Sequence, residues 1–189
     1  MQSDNDIKIV EIIREVAKRT SARYLEKYPD RKPVHFFADN YQMVGYELTK
    51  LGKSAKGQKV RYPAILLFCD NMMEREAEPI LQWKVEATLH ILIVTDAFDG
   101  NGDMKREKNF YPTLYPIHRL FFDEIENHPQ IFTSGEYKPR REKFDRLNLI
   151  AMLGKNSVFS DKLDGIEIRN LRLRFREKNC LTSKNNEND

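Results

Sequence analysis

The chain has 189 residues, 40% of them hydrophobic and 11% aromatic, enough for one substantial core and favouring a single domain over two. Its formal charge is only +3, and its two cysteines, Cys69 and Cys180, lie far apart with the second in a polar stretch, so a reducing compartment is expected rather than a disulfide framework. There is no run of about 18 apolar residues and no basic start leading into an apolar segment, so neither a membrane span nor a signal peptide is expected, and the expected location is the cytoplasm.

Residues 6 to 26 have the spacing of an amphipathic helix, with Ile7, Val10, Ile13 and Ala17 recurring at threes and fours between charges and Asp4 or Asn5 available as a cap. Val34 to Phe37 reads as extended. Tyr41, Val44, Leu48 and Leu51 have helical spacing, which Gly45 weakens. After the basic loop LGKSAKGQK comes the apolar run Val60 to Cys69, in which Pro63 marks a strand end or an edge.

Gln82 to Val94 alternates strictly, which assigns Trp83, Val85, Ala87, Leu89, Ile91 and Ile93 to one face of a strand. Lys84, Glu86, Thr88 and His90 on the other face suit water, whereas Leu92 and Val94 do not, so the strand passes from cover on one side to cover on both. At about 3.3 Å per residue it spans about 43 Å, long enough to project and meet a partner. With Val60 to Cys69 it makes an antiparallel hairpin around an acidic loop, Asp70 to Glu78.

Residues 95 to 108 are a loop by composition, and a helix follows from near Thr113, with Pro112 and Pro116 in or beside its first turn. Leu114, Ile117, Phe121 and Ile125 line one face, and Pro129 ends the element. Phe144 to Leu149 is a short strand or a helical turn. In the final strand, Asp164 to Arg176, the apolar set is even at Ile166 and Ile168 but odd at Leu171, Leu173 and Phe175, which calls for a β-bulge near Arg169 and Asn170. The expected fold is α+β, a mostly antiparallel sheet with a long hairpin packed by two main helices. It forms a single domain over 1 to 177, with a disordered polar tail from 178 to 189.

Charge is uneven along the chain. Residues 138 to 178 hold 12 Lys and Arg against 6 Asp and Glu, whereas 1 to 137 hold 19 against 21. A basic end serves either a nucleic-acid face or head-to-tail packing of identical subunits against an acidic surface. Glu74, Glu76 and Glu78 on one side, with Arg140, Arg141, Arg172, Arg174 and Arg176 on the other, are the candidate interface residues.

The catalytic and metal patterns are weak. Asp99, Asn101 and Asp103 begin like a calcium loop, but Met104 stands where Gly is needed and Phe110 where the bidentate Glu belongs. His35, His90, His118 and His128 lack metal-ligand spacing, and neither cysteine has a CxxC partner. A Cys69 nucleophile with His90 as base would fit across a hairpin, but the sequence names no third group to orient the imidazole. The acid-x-Lys pairs Asp103 to Lys105 and Glu136 to Lys138 fall in loops, and no phosphate-cradling glycine pattern occurs. No catalytic residue, cofactor or metal is assigned.

The order of elements, together with VRYPAILLF at 60 to 68, VEATLHILIVTD at 85 to 96, NFYPTLYPIHRLFFDEI at 109 to 125 and DGIEIRNLRLRF at 164 to 175, resembles the tail-terminator and tail-completion (head-tail joining) proteins of long-tailed phages, in particular prophage proteins of Bacteroidetes type. The long acidic hairpin and the basic segment Lys138 to Arg146 depart from the smallest members of that family. The resemblance implies a non-enzymatic α+β virion assembly subunit that forms a ring with copies of itself, a hexamer at the head-proximal end of a tail tube. It also implies contacts with other phage tail or connector proteins, and a location in the host cytoplasm and then in the virion tail. The expected DNA contact is weak and nonspecific, and no membrane partner is expected. The alternatives are a DNA-binding accessory protein using the basic C-terminal region and a prophage nuclease or hydrolase.

Overall fold

The computed structural model describes residues 4–54, 56–57, 60–76, 83–96, 109–133, 138–140, 143–148 and 163–176. Helix α1, Asp4–Lys27, begins the described chain, so Asp4 and Asn5 are helical residues rather than caps. Its buried stripe is Ile9, Ile12, Ile13, Val16, Ala17, Thr20 and Tyr24, turned by about one residue from the stripe expected, with Val10 only half-buried.

Strand β1, His35–Asp39, leads into α2, Tyr41–Gly52, and then into β2, Ala64–Glu76. Strand β3, Val85–Asp96, returns antiparallel to β2. A π-helical turn, Phe110–Leu114, then opens helix α3, Tyr115–Glu126. Pro112 and Pro116 sit in this first stretch, where a missing amide hydrogen is tolerated. Strands β4, Ile131–Phe132, and β5, Lys143–Asn148, both pair with the long last strand β6, Leu163–Phe175.

The sheet order is β1-β2-β3-β6-β4, with β5 also on β6. The class is α+β as expected, but the sheet is mixed rather than purely antiparallel, because α2 carries the chain back so that β1 and β2 run parallel. A third helix also takes part. Helices α1 and α3 cover one face, where Ile65, Leu67, Ala87, Leu89, Ile91, Ile93, Ile166, Ile168, Leu171, Leu173 and Phe175 join Phe121, Ile117 and the α1 stripe in one core. The opposite face carries a smaller core of Val44 and Leu48 from α2 with Tyr62, Ala64, Leu66, Phe68, Leu92, Val94 and Leu163. Leu92 and Val94 are therefore covered on both sides of the sheet, as their apolar character requires.

Trp83 departs from the face predicted for it. It lies just before β3 and takes no part in either core; its ring sits 4.7 Å from the Arg174 guanidinium, which belongs to the face opposite Leu173 and Phe175.

Two bulges meet on β3. In β6, Ile168 pairs with Ile91 and Leu171 with Leu89, so Arg169 and Asn170 together face His90. Asn170 adopts φ 52, a left-handed conformation that asparagine tolerates better than most residues. This is the bulge that the switch from even to odd apolar positions predicts. In β2, Phe68 pairs with His90 and Met73 with Thr88, so four residues, Cys69 to Met72, stand against Leu89 alone.

Candidate assembly surface

The second bulge corrects the reading of the acidic stretch. Asp70 to Glu76 is part of strand β2, not a loop, and the hairpin connection begins only after Glu76. Asp70 is engaged within the fold: one of its carboxylate oxygens accepts the Tyr41 amide at 2.6 Å, while Asn40 caps Met43 at 2.8 Å. Both bonds satisfy first-turn amides of α2, so the β2 bulge and the helix start hold each other in place.

Beyond the bulges, the lower halves of β2, β3 and β6 form a three-stranded ribbon whose second face is not covered by α2. Side chains directly opposite one another share a face, so the register gives the rows. Met73, Thr88 and Arg172 form one row, continued by Arg140 through the bridge in which Arg172 donates its amide to the Arg140 carbonyl at 2.7 Å. Arg75, Glu86 and Arg174 form the next. Met73 is 68% exposed, and Arg75, Arg140 and Arg172 are exposed as well.

The candidate interface residues do not behave alike. Arg174 Nε donates to Glu86 Oε2 at 2.8 Å while its guanidinium covers Trp83, so its charge is largely used within the chain. Arg176 Nε donates to the Pro129 carbonyl at 2.6 Å and fixes the corner before β4. Arg172 and Arg140 are the two exposed arginines of the row. Glu76 is exposed at the end of β2, whereas Glu74 points to the helix-covered face, opposite Ala87, and is half-buried. Glu78 and Arg141 lie outside the described residues, as do Asp99, Asn101, Asp103, Lys105, Glu136, Cys180 and the tail from 178.

The structure does supply a buried carboxylate that holds the His90 imidazole. Glu167, 1% exposed, takes His90 Nε2 at 2.8 Å and Arg169 Nε at 2.6 Å on the same oxygen, and the His90 ring lies against Phe68 with centroids 5.2 Å apart. Its other oxygen, Oε2, is buried without a hydrogen bond. The signal in the sequence was a lone Glu between Ile166 and Ile168, an acid inside an apolar strand. The Cys69 thiol is half-buried in the β2 bulge. Among the described residues, no group of three His, Cys, Asp or Glu is arranged to hold a metal ion.

Of the remaining histidines, His35 and His128 are held below the usual imidazole range, in both cases mainly because burial disfavours the charged ring. His118 stacks on Phe122 at 4.9 Å, a packing contact. Among the described residues, no helix is long and apolar enough to cross a membrane. No protein-family model, curated protein or solved structure matches the chain.

Proposed function

We propose that the chain is a non-enzymatic phage assembly protein, a tail terminator or head-tail joining subunit that works by packing against copies of itself and against other tail or connector proteins. The resemblance of its segments to those proteins supports the phage setting. The observation that carries the assembly role is the ribbon below α2, where, among the described residues, long strands run past α2 with charges of both signs on the face it leaves. Such a surface gives little to folding and suits recognition of a partner. Light scattering across a concentration series tests it: the weight-average mass is expected to rise with concentration.

A second reading, a DNA-binding accessory protein, draws on the adjacent exposed Arg140 and Arg172. The internal engagement of Arg174 and Arg176 leaves it fewer phosphate contacts. Weak duplex binding without sequence preference is expected. Submicromolar binding at physiological salt, with a log-log salt slope that falls by about one for each arginine replaced, would favour DNA over assembly.

A further inference from the structure

The sheet ends in two different strands, β1 and β5, that stand at the same height. Phe36 lies level with Ile65, Ile93, Ile166 and Arg146, and Ala38 with Leu67, Ile91, Ile168 and Phe144. The row of Phe37, Leu66, Leu92 and Glu167 ends at Asp145. The row of Asp39, Phe68 and His90 reaches the β6 bulge, where Lys143 pairs with Arg169. Among the described residues, β1 pairs with β2 and β5 with β6, and neither has a strand on its outer side.

The two edges also run in opposite senses, because β1 is parallel to β2 whereas β5, β6 and β3 alternate in direction. His35 donates its amide to the Pro63 carbonyl at 2.9 Å, so the alternation of the ladder turns the amides and carbonyls of Phe36 and Ala38 outward. Such an edge is a template for one more strand. Its cover differs from that of the far edge. β1 has α1 on one face, where Phe36 and Ala38 join the larger core, and α2 on the other, where Phe37 joins the smaller one, whereas the described packing of β5 is on β6. Two β1 edges set together would crowd four helices at one seam. β1 set beside β5 brings helices to the seam from one copy.

We propose that the sheet continues from subunit to subunit by antiparallel pairing of β1 in one copy with β5 in the next. With the rows carried straight across, Asp39 stands opposite Lys143, and Ala38 opposite Phe144. A slip of one residue would turn the faces over, and the slip of two that sets Asp39 against Asp145 would oppose like charges. The partner is a second copy because one chain carries both edges, level with each other, opposite in sense, and five and six residues long. The inference rests on the assembly reading above and names the contact between copies, a head-to-tail one that closes into a ring when the rotation permits.

The test uses the full chain, with folding checked by circular dichroism and thermal melting. Asp39→Lys and Lys143→Asp are each expected to self-associate about tenfold more weakly than the wild type in sedimentation velocity at low salt. Mixed in equal amounts, the two are expected to recover the wild-type association, because one contact then pairs the native charges and the other the reversed ones. Asp39→Asn, which keeps the oxygen that accepts the Asn40 amide at 2.7 Å, should fall between. Ala38→Pro removes an outward amide without cutting a bond from β1 to β2 and should weaken association by a similar factor. If the wild type assembles and all four variants assemble equally well, the edge pairing is overturned while assembly stands. A loss in Asp39→Lys without one in Lys143→Asp, or losses that mixing does not recover, also overturns the pairing of these two edges. A wild type that stays monomeric at every concentration and salt overturns both readings.

Discussion

His90 Nε2 lies 2.8 Å from Glu167 Oε1, across the pair of strands at the level where β3 has a bulged strand on each side. Both bulges lie where the α2-covered part of the His90 face of β3, at Leu92 and Val94, gives way to Thr88 and Glu86. The hydrogen-bonded pair marks that border. A polar group buried this deeply is costly unless its hydrogen bonds are made, so the His90, Glu167 and Arg169 set is expected to behave as a unit.

A double-mutant cycle measures that unit. Glu167→Ala should destabilise the chain by about 2 to 3 kcal/mol, and the coupling energy with His90→Ala should be about 0.5 to 3 kcal/mol in denaturant melts. Additive losses would show that His90 only packs on Phe68.

Phe121 is fully buried in the core that α3 shares with Leu89 and Ile91. Phe121→Ala is expected to cost about 3 to 5 kcal/mol. A loss below about 1 kcal/mol would mean that the helix does not depend on this contact.

Asn170 occupies a left-handed position at the β6 bulge. Asn170→Gly should leave the melting temperature nearly unchanged or slightly raise it. Asn170→Val should cost about 1 to 2 kcal/mol, because a β-branched residue resists this conformation. Equal melting temperatures for the two variants would mean that the bulge relaxes.

His128 is 2% exposed, with Nδ1 accepting the Gln130 amide at 3.2 Å and Nε2 3.6 Å from Glu15 Oε2. Burial outweighs the pull of Glu15 and holds its pKa below the usual value, and burial does the same for His35. The folded state thus prefers both rings neutral. Their contribution is fully present above about pH 6.5 and is lost as pH falls through the lower folded-state values, since the unfolded chain then binds more protons. The urea midpoint is expected to drop between pH 7.5 and pH 5.5, and His128→Gln should flatten that drop. An unchanged midpoint in the wild type would contradict the burial effect.

How much could be read in advance depended on whether a residue broke a pattern. The β6 bulge was legible because apolar residues flank it on both sides, and Ile168 and Leu171 cannot share a face without it. The β2 bulge was not, because the apolar run stops at Phe68 and the polar residues after it set no parity to be broken. By composition alone this strand therefore reads as a loop. The α2 periodicity gave its buried stripe but not the face of the sheet it would cover, and two residues of β4 are too few to show alternation. Of the candidate surface, the basic arginines were visible in number, but which of them are exposed was fixed by Trp83, Glu86 and Pro129, contacts that no spacing announces.

Because α2 shields only the end of the strands around Ala64 and Val94, the two ends of the sheet are chemically distinct. Subunits joined side by side would all point the same way, giving their assembly one rim at the α2-covered end of the strands and another at the end marked by Glu76 and Val85. A disc with two different rims stacks in a single orientation, and it would meet one kind of neighbour above and another below without any subunit changing shape.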